Sequence, residues 1–244
     1  MNYYRSCFIS DMHLFSPVCK AEALHHFLGE TEAKHWFLLG DSLDFWAAKR
    51  THNYPLEHMV IVQKLLKKAR HAMMWLFRGN HDDELRMFVG DELGNIKVVE
   101  RMIYTTAGGK RYLLMHGDAF DFVIKHAVWL SKTGAVLYDW LIWMNHWYNK
   151  WRKFRGKPYW SLSAAVKKRV KEAVNYVSRF EQFLVDAAKS EGCDGVICGH
   201  IHTPAAGVII DGIEYWNCGD WQESKTAIVE HEDGRLELLH FEAH

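Results

Sequence analysis

Gly195-Val196-Ile197-Cys198-Gly199-His200-Ile201-His202 is a short apolar run that ends in a glycine and two imidazoles one residue apart. In an extended or tightly turned backbone, two such imidazoles reach two neighbouring ions. Alone the pair is weak, because two surface histidines are the commoner outcome. Its weight comes from four earlier clusters that also end strand-like runs: Asp11-Met12-His13, Gly40-Asp41, Gly79-Asn80-His81-Asp82 and Met115-His116-Gly117-Asp118.

The pattern between these clusters sets the fold class. Tyr4 to Ser10 reads as a buried strand. Lys20 to Ala33 reads as a helix with Ala23, Leu24, Phe27 and Leu28 on one face. His35 to Leu39 is the next strand. Pro55 opens a second helix, with Met59, Val62, Leu66 and Ala69 at helical spacing. Met73 to Phe77 and Arg111 to Met115 are further strands, the latter after the Gly108-Gly109 turn signal. Strands return at Gly195 to Cys198, Ala206 to Ile210, Ile213 to Cys218, Thr226 to His231 and Leu236 to Phe241. Strands alternating with helices, with polar residues at strand ends, predict an α/β protein whose site lies at the carboxyl edge of a sheet.

Between Phe122 and Lys189 the alternation gives way to helical patterning. Val136, Trp140, Trp143 and Trp147 form one stripe, and Leu137, Leu141, Met144 and Tyr148 an adjacent one. From Phe122 to Lys171 there are eleven Lys/Arg against the single acid Asp139, and six of the chain's 11 tryptophans. That interval carries +10 in a chain of zero formal net charge. The expectation is one domain over residues 1–244, with a helical cap inserted at about 122–189.

Five cysteines without a paired framework point to buried thiols in a reducing compartment. The N-terminus has no signal-peptide layout, and no apolar stretch nears the roughly 20 residues of a membrane span. A cytoplasmic location is expected.

The clustered residue types fit a pair of divalent ions about 3.5–4 Å apart. A bridging aspartate relieves the repulsion between two cations, and an asparagine oxygen adds a ligand without charge. Asp11, His13, Asp41, Asn80, His116, His200 and His202 supply that set. Such a pair binds a phosphate ester and lowers the pKa of water. His81 is placed to give a proton to the leaving group, with Asp82 fixing its tautomer. Asp44, Asp118, Asp121 and Asp220 either support ligand histidines or cap turns.

The ordered set of five blocks, from Ile9 to His202, resembles the calcineurin-like metallophosphoesterase superfamily. Gly40-Asp41-Ser42-Leu43-Asp44-Phe45-Trp46, His116-Gly117-Asp118, the helical insertion and Asn217-Cys218-Gly219-Asp220-Trp221 are most similar to its UDP-2,3-diacylglucosamine diphosphatase branch. The resemblance implies a four-layer α/β/β/α sandwich. It puts Asp11, His13, Asp41 and His202 on one ion and Asp41, Asn80, His116 and His200 on the other, with His81 as acid. One departure stands out: the best-studied diphosphatases carry Arg after the Asn, where this chain has His81, the general phosphoesterase pattern.

From these features follows a hydrolase splitting the diphosphate of a UDP-diacylglucosamine-like lipid A precursor into UMP and a lipid sugar 1-phosphate. The alternative is a soluble phosphodiesterase or nucleotide pyrophosphatase. Ligands of O and N without thiolate fit Mn2+, with Zn2+ or Fe2+ as other choices. The basic, tryptophan-rich insertion reads either as a structural hairpin or as a lid that admits an amphiphilic substrate and touches the cytoplasmic face of the inner membrane. Asn80, Lys167 and Lys171 are the expected substrate contacts. Nucleic acid is set aside, because a hydrophobic cap encloses a pocket where a nuclease needs an open groove.

Overall fold

The structure is a computed structural model describing residues 1–118, 155 and 180–242. The chain divides into two compact units, one of Met1–Asp118 with Leu184–His244, the other of Ala119–Phe183. Most of the expected insertion, and with it Asp121, Lys167 and Lys171, lies outside the described residues, while its last part, residues 180–189, is helical.

The first unit runs β1 (Asn2–Ile9), α1 (Ala21–Glu30), β2 (Thr31–Leu39), α2 (Phe45–Thr51), α3 (Leu56–Lys68), β3 (Met73–Phe77) and a 3-10 helix (Asp83–Phe88). It continues with β4 (Glu92–Leu93), β5 (Ile96–Val99), β6 (Arg101–Thr105) and β7 (Arg111–Met115). After a helical stretch that closes at residue 190 come β8 (Gly195–Cys198), β9 (Ala205–Ile210), β10 (Ile213–Asn217), β11 (Thr226–Glu230) and β12 (Leu236–His240). Two mixed sheets result, ordered β12-β11-β1-β2-β3-β5-β4 and β6-β7-β8-β10-β9.

Strand alternation builds the layers. Cys7 and Ile9 of β1, with Trp36 and Leu38 of β2, pack on Leu24 and Phe27 of α1 and Ile61 and Leu65 of α3. The opposite faces present Phe8, Phe37, Leu39 and Phe77 to Tyr112, Leu114, Ile197 and Trp216 of the second sheet. A sheet covered on both faces needs unbroken apolar strands, which is why its sequence runs showed no polar alternation. Phe8 stacks on Phe37 at 4.7 Å, and Phe37 on Trp75 at 4.7 Å. The α/β sandwich of the sequence reading is present.

Three local expectations need correction. The first helix stops at Glu30, and β2 begins at Thr31 rather than His35, because Thr31 and Ala33 pair with Asn2 and Tyr4 of β1. In α3 the buried face is His58, Ile61, Leu65 and Lys68, one position off the expected stripe, so Met59 and Leu66 are exposed. Polar partners rotate it. His58 Nδ1 accepts the Phe15 N–H at 2.7 Å, and Lys68 Nζ donates to the Thr31 carbonyl at 2.6 Å while lying over the Trp36 ring. Strands β4, β5 and β6 and helix α2 were not anticipated, being short and bounded by charged residues. All five cysteines are free, and four of them are buried.

Strands β1, β2 and β3 run parallel in one sheet, and β7 and β8 run parallel in the other. Parallel strands deliver their carboxyl ends to one edge, and the five polar clusters follow those ends.

Candidate metal centre

Backbone bonds join the loops after these strands. Asp11 N–H donates to the Gly40 carbonyl (3.1 Å), His13 to Asp41 (2.9 Å), Gly199 to His116 (3.2 Å) and Trp221 to Asp11 (3.2 Å). Asp11, His13, Asp41, His200 and His202 all sit at positive φ, between 47° and 73°. Left-handed backbone costs a residue with a Cβ roughly 1–2 kcal/mol. Five such residues at one edge mark a conformation that the surrounding packing enforces.

The two aspartates divide their oxygens the same way. Asp11 Oδ2 accepts from Ser10 Oγ (2.6 Å) and from the His200 N–H (2.8 Å). Oδ1 is thereby aimed at His202 Nε2 (3.1 Å) and His13 Nε2 (3.7 Å). Asp41 Oδ1 accepts the His81 N–H at 2.8 Å, and its Oδ2 faces His116 Nε2 (3.4 Å) and His13 Nε2 (3.8 Å).

The imidazoles are oriented from behind. His116 Nδ1 donates to the Leu39 carbonyl at 2.7 Å, which leaves the lone pair on Nε2, 3.3 Å from His200 Nδ1. His13 Nδ1 lies 3.6 Å from Asp44 Oδ2, and His202 Nδ1 lies 3.2 Å from Asp220 Oδ2. A carboxylate behind a histidine fixes its tautomer and turns the other nitrogen inward. The alternatives for Asp44 and Asp220 resolve into both at once. Asp44 Oδ1 also caps α2 through Ala47 N–H, and Asp220 Oδ1 accepts the N–H groups of Gln222, Glu223 and Ser224. Asp118 instead pairs with Arg78 at 3.1 Å.

Three groups bring their ligand atoms within 4.8 Å of one another: Asp11, His13 and His202; Asp41, His116 and His200; and His13, Asp41 and His81. The first holds three of the four ligands that the resemblance implies for one ion, without Asp41, and the second three of the four implied for the other, without Asn80. The third draws His81 close to the shared aspartate.

Two observations fit divalent cations to this cluster. Asp11 Oδ1, His13 Nε2 and Asn80 Oδ1 are buried without a hydrogen-bond partner, although ion-pair distances to some of them are short. Buried polar atoms are almost always paired, and a cation at the cluster would satisfy these three. The electrostatics agree. Burial pushes the imidazoles down, yet Asp11 outweighs it, raising His13 to about 9 and His202 to about 10. His116 stands well above its ordinary value against burial, because of Asp41. Burial raises the Asp41 carboxyl, but His116 overrides it and holds the group at about 2. The carboxylates recruit positive charge, and a divalent cation meets the same demand as the protons it would displace.

One expectation fails on geometry. Asp82 does not face the His81 ring. Its carboxylate accepts the N–H groups of Ser42 (2.9 Å), Leu43 (3.3 Å) and Gly79 (2.6 Å), tying two loops together. Burial and the charge of Asp41 push it up to about 6. The carboxylate next to His81 Nδ1, at 3.2 Å, is Asp44's. Three backbone donors outcompete one imidazole for a buried carboxylate, and sequence adjacency carries no information about that. Sequence reasoning also missed Ser10 and the Leu39 carbonyl, which have no motif signal because one is a single hydroxyl and the other is backbone.

The glycines before the ligands are required by close approach. A Cβ on Gly199 would lie 2.2 Å from Ser10 Oγ and 2.5 Å from Asp11 Oδ2, and one on Gly79 2.3 Å from Asp41 Oδ1. Gly199→Ala is therefore expected to destabilise the fold by about 1–3 kcal/mol and to lower metal affinity by displacing Asp11. Thermal unfolding with and without added Mn2+ checks both. An unchanged melting temperature and metal titration would show that the cradle is looser than these distances require.

Two packed mixed sheets with an imidazole–carboxylate cluster at their common edge define a metal-dependent phosphoesterase. The chain belongs to the calcineurin-like phosphoesterase family, whose model matches residues 4–204. Along its whole length the chain is similar to two curated proteins named UDP-2,3-diacylglucosamine hydrolase. The one from Shewanella sp. strain ANA-3 is 24% identical (98% of this chain, 99% of that protein), and the one from strain MR-7 is 25% identical over the same shares. Among solved structures it resembles vacuolar protein sorting 29 from Cryptosporidium parvum, with 11% identity, 96% of this chain and 94% of that chain covered, and a TM-score of 0.45. Among the described residues, no helix is long and apolar enough to cross a membrane.

Proposed function

We propose that the chain hydrolyses the diphosphate of a UDP-diacylglucosamine-like lipid A precursor, releasing UMP and a lipid-linked sugar 1-phosphate. The observation that supports this reading is a pair of candidate ligand groups, Asp11 with His13 and His202 and Asp41 with His116 and His200, with Asp41 Oδ2 3.8 Å from His13 Nε2 of the other group. The substrate class is supported by the full-length similarity to proteins of that name. Asp11, His13, Asp41 and His202 would hold one divalent ion; Asp41, Asn80, His116 and His200 would hold the other, with Mn2+ the first choice. Such ions lower the pKa of water and offset the negative charge that grows on the phosphorus oxygens. With His81 Nδ1 turned to Asp44, Nε2 is the atom that passes a proton to the leaving oxygen. Asn80 and, from the insertion, Lys167 and Lys171 would bind the diphosphate. The tryptophan-rich insertion would admit the acyl chains at the cytoplasmic face of the inner membrane.

His81, where the best-studied diphosphatases carry Arg, favours the second reading: a soluble phosphodiesterase or nucleotide pyrophosphatase. UMP release from UDP-diacylglucosamine in detergent, set against UDP-N-acetylglucosamine, separates the two. The lipid substrate should have the higher kcat/KM by more than tenfold, since burying two methylenes is already worth about 1.6 kcal/mol. Equal values would favour the soluble enzyme.

A further inference from the structure

Trp46 is a large apolar side chain left 49% exposed beside the candidate centre. It is the second residue of α2, whose start is fastened to the His81 loop. Phe45 N–H donates to the His81 carbonyl (3.2 Å), and Asp44, the cap of α2, lies 3.2 Å from His81 Nδ1. The indole packs on the His81 ring with centroids 4.5 Å apart and planes inclined at 38°. His81 in turn lies edge-on to His13, centroids 4.6 Å apart. The order outward from the cluster is thus His13, His81, Trp46, with the indole ending in solvent. Other exposed apolar side chains, such as Tyr54 and Leu93, have no ring contact with a cluster residue among the described residues.

Packing does not explain this placement. The helix buries Ala47 and Ala48, while Trp46 and the residues three and four on, Lys49 (paired with Glu84) and Arg50, share an exposed face. An acyl chain needs an apolar trough, and among the described residues the indole's neighbours are the His81 ring and, one turn on, Arg50 and the Lys49–Glu84 ion pair. A flat polar ring attached to a phosphate matches both an aromatic face and nearby cations.

We propose that Trp46 is the stacking platform for the nucleobase of the substrate, one side chain beyond the phosphate-binding centre. This rests on the nucleotide reading above and assigns to it a specificity-determining residue. Trp46 selects the nucleoside end of the substrate, while the metal cluster and His81 act on the diphosphate.

The test compares UMP with ribose 5-phosphate, which lacks the base, as ligands of the Mn2+-loaded protein by titration calorimetry. Wild type should bind UMP about tenfold or more tightly, the effect of one stacked base. Trp46→Ala should bring the ratio of the two dissociation constants to about one, and Trp46→Phe should keep most of it. The ratio is informative because a general loosening of the site weakens both ligands alike. A Trp46→Ala protein that keeps the wild-type ratio overturns the platform, as does a wild type that binds the two ligands equally. In both cases the phosphoester reading stands. A wild type that binds neither ligand removes the nucleotide reading and the platform together.

Discussion

Asp41→Ala is expected to lose turnover and metal together, with activity falling well beyond the roughly 10–100-fold typical of losing a residue that only supports a ligand. Asp41 Oδ2 faces both His116 (3.4 Å) and His13 (3.8 Å), one from each proposed ligand set, so its carboxylate is the proposed bridge. Without it, two cations would repel each other with no negative charge between them. Asp41→Asn is the companion variant. It keeps an oxygen to accept the His81 N–H, which Asp41 Oδ1 now does at 2.8 Å. Its fold should survive, by circular dichroism and thermal melting, while metal analysis shows fewer than two equivalents. Two equivalents of Mn2+ and near-normal turnover in Asp41→Ala would contradict a shared aspartate.

His81→Ala should cut kcat by about 10²–10⁴-fold on substrates with poor leaving groups, the usual contribution of a positioned general acid. A p-nitrophenyl ester, whose leaving group needs no proton, should show a much smaller fall. The contrast follows from the role assigned to Nε2 and would not arise from a general distortion of the site. Metal content decides a second point, because His81 also lies in a group with His13 and Asp41. Retention of both metals in His81→Ala keeps it as a proton donor. Loss of one would make it a ligand, and equal turnover on both substrates would end the acid assignment.

Legibility in the sequence varied with the kind of residue. The five polar clusters stood out because each ends an apolar run, and a parallel sheet brings such ends together whatever lies between them. The Gly-Asp, Gly-Asn and Gly-His pairs were legible for a related reason: the glycine removes a Cβ where a cluster side chain passes, His116 at Gly40, Asp41 at Gly79 and Asp11 at Gly199. Supporting residues were harder to place. Asp44 and Asp220 were seen but not assigned, since one carboxylate both caps a backbone turn and faces a histidine. Asp82 was misassigned, because its partners are N–H groups, which no side-chain motif reports. The one-residue phase error in α3 has the same origin, with Lys68 and His58 buried by partners that hydrophobicity does not register.

The amino-acid sequence by itself determined the α/β class, the strands whose ends carry the polar clusters and seven ligand candidates, six of which the structure draws into close groups, because apolar periodicity and donor chemistry are local properties of the chain. Only the tertiary structure decided which oxygen of each aspartate turns inward, which carboxylate stands behind His81, and that Trp46 lies on its ring. Those choices are settled by contacts between loops far apart in the chain, such as His200 and Asp11, separated by 189 residues, and hydrogen-bond competition at that range leaves no trace in spacing.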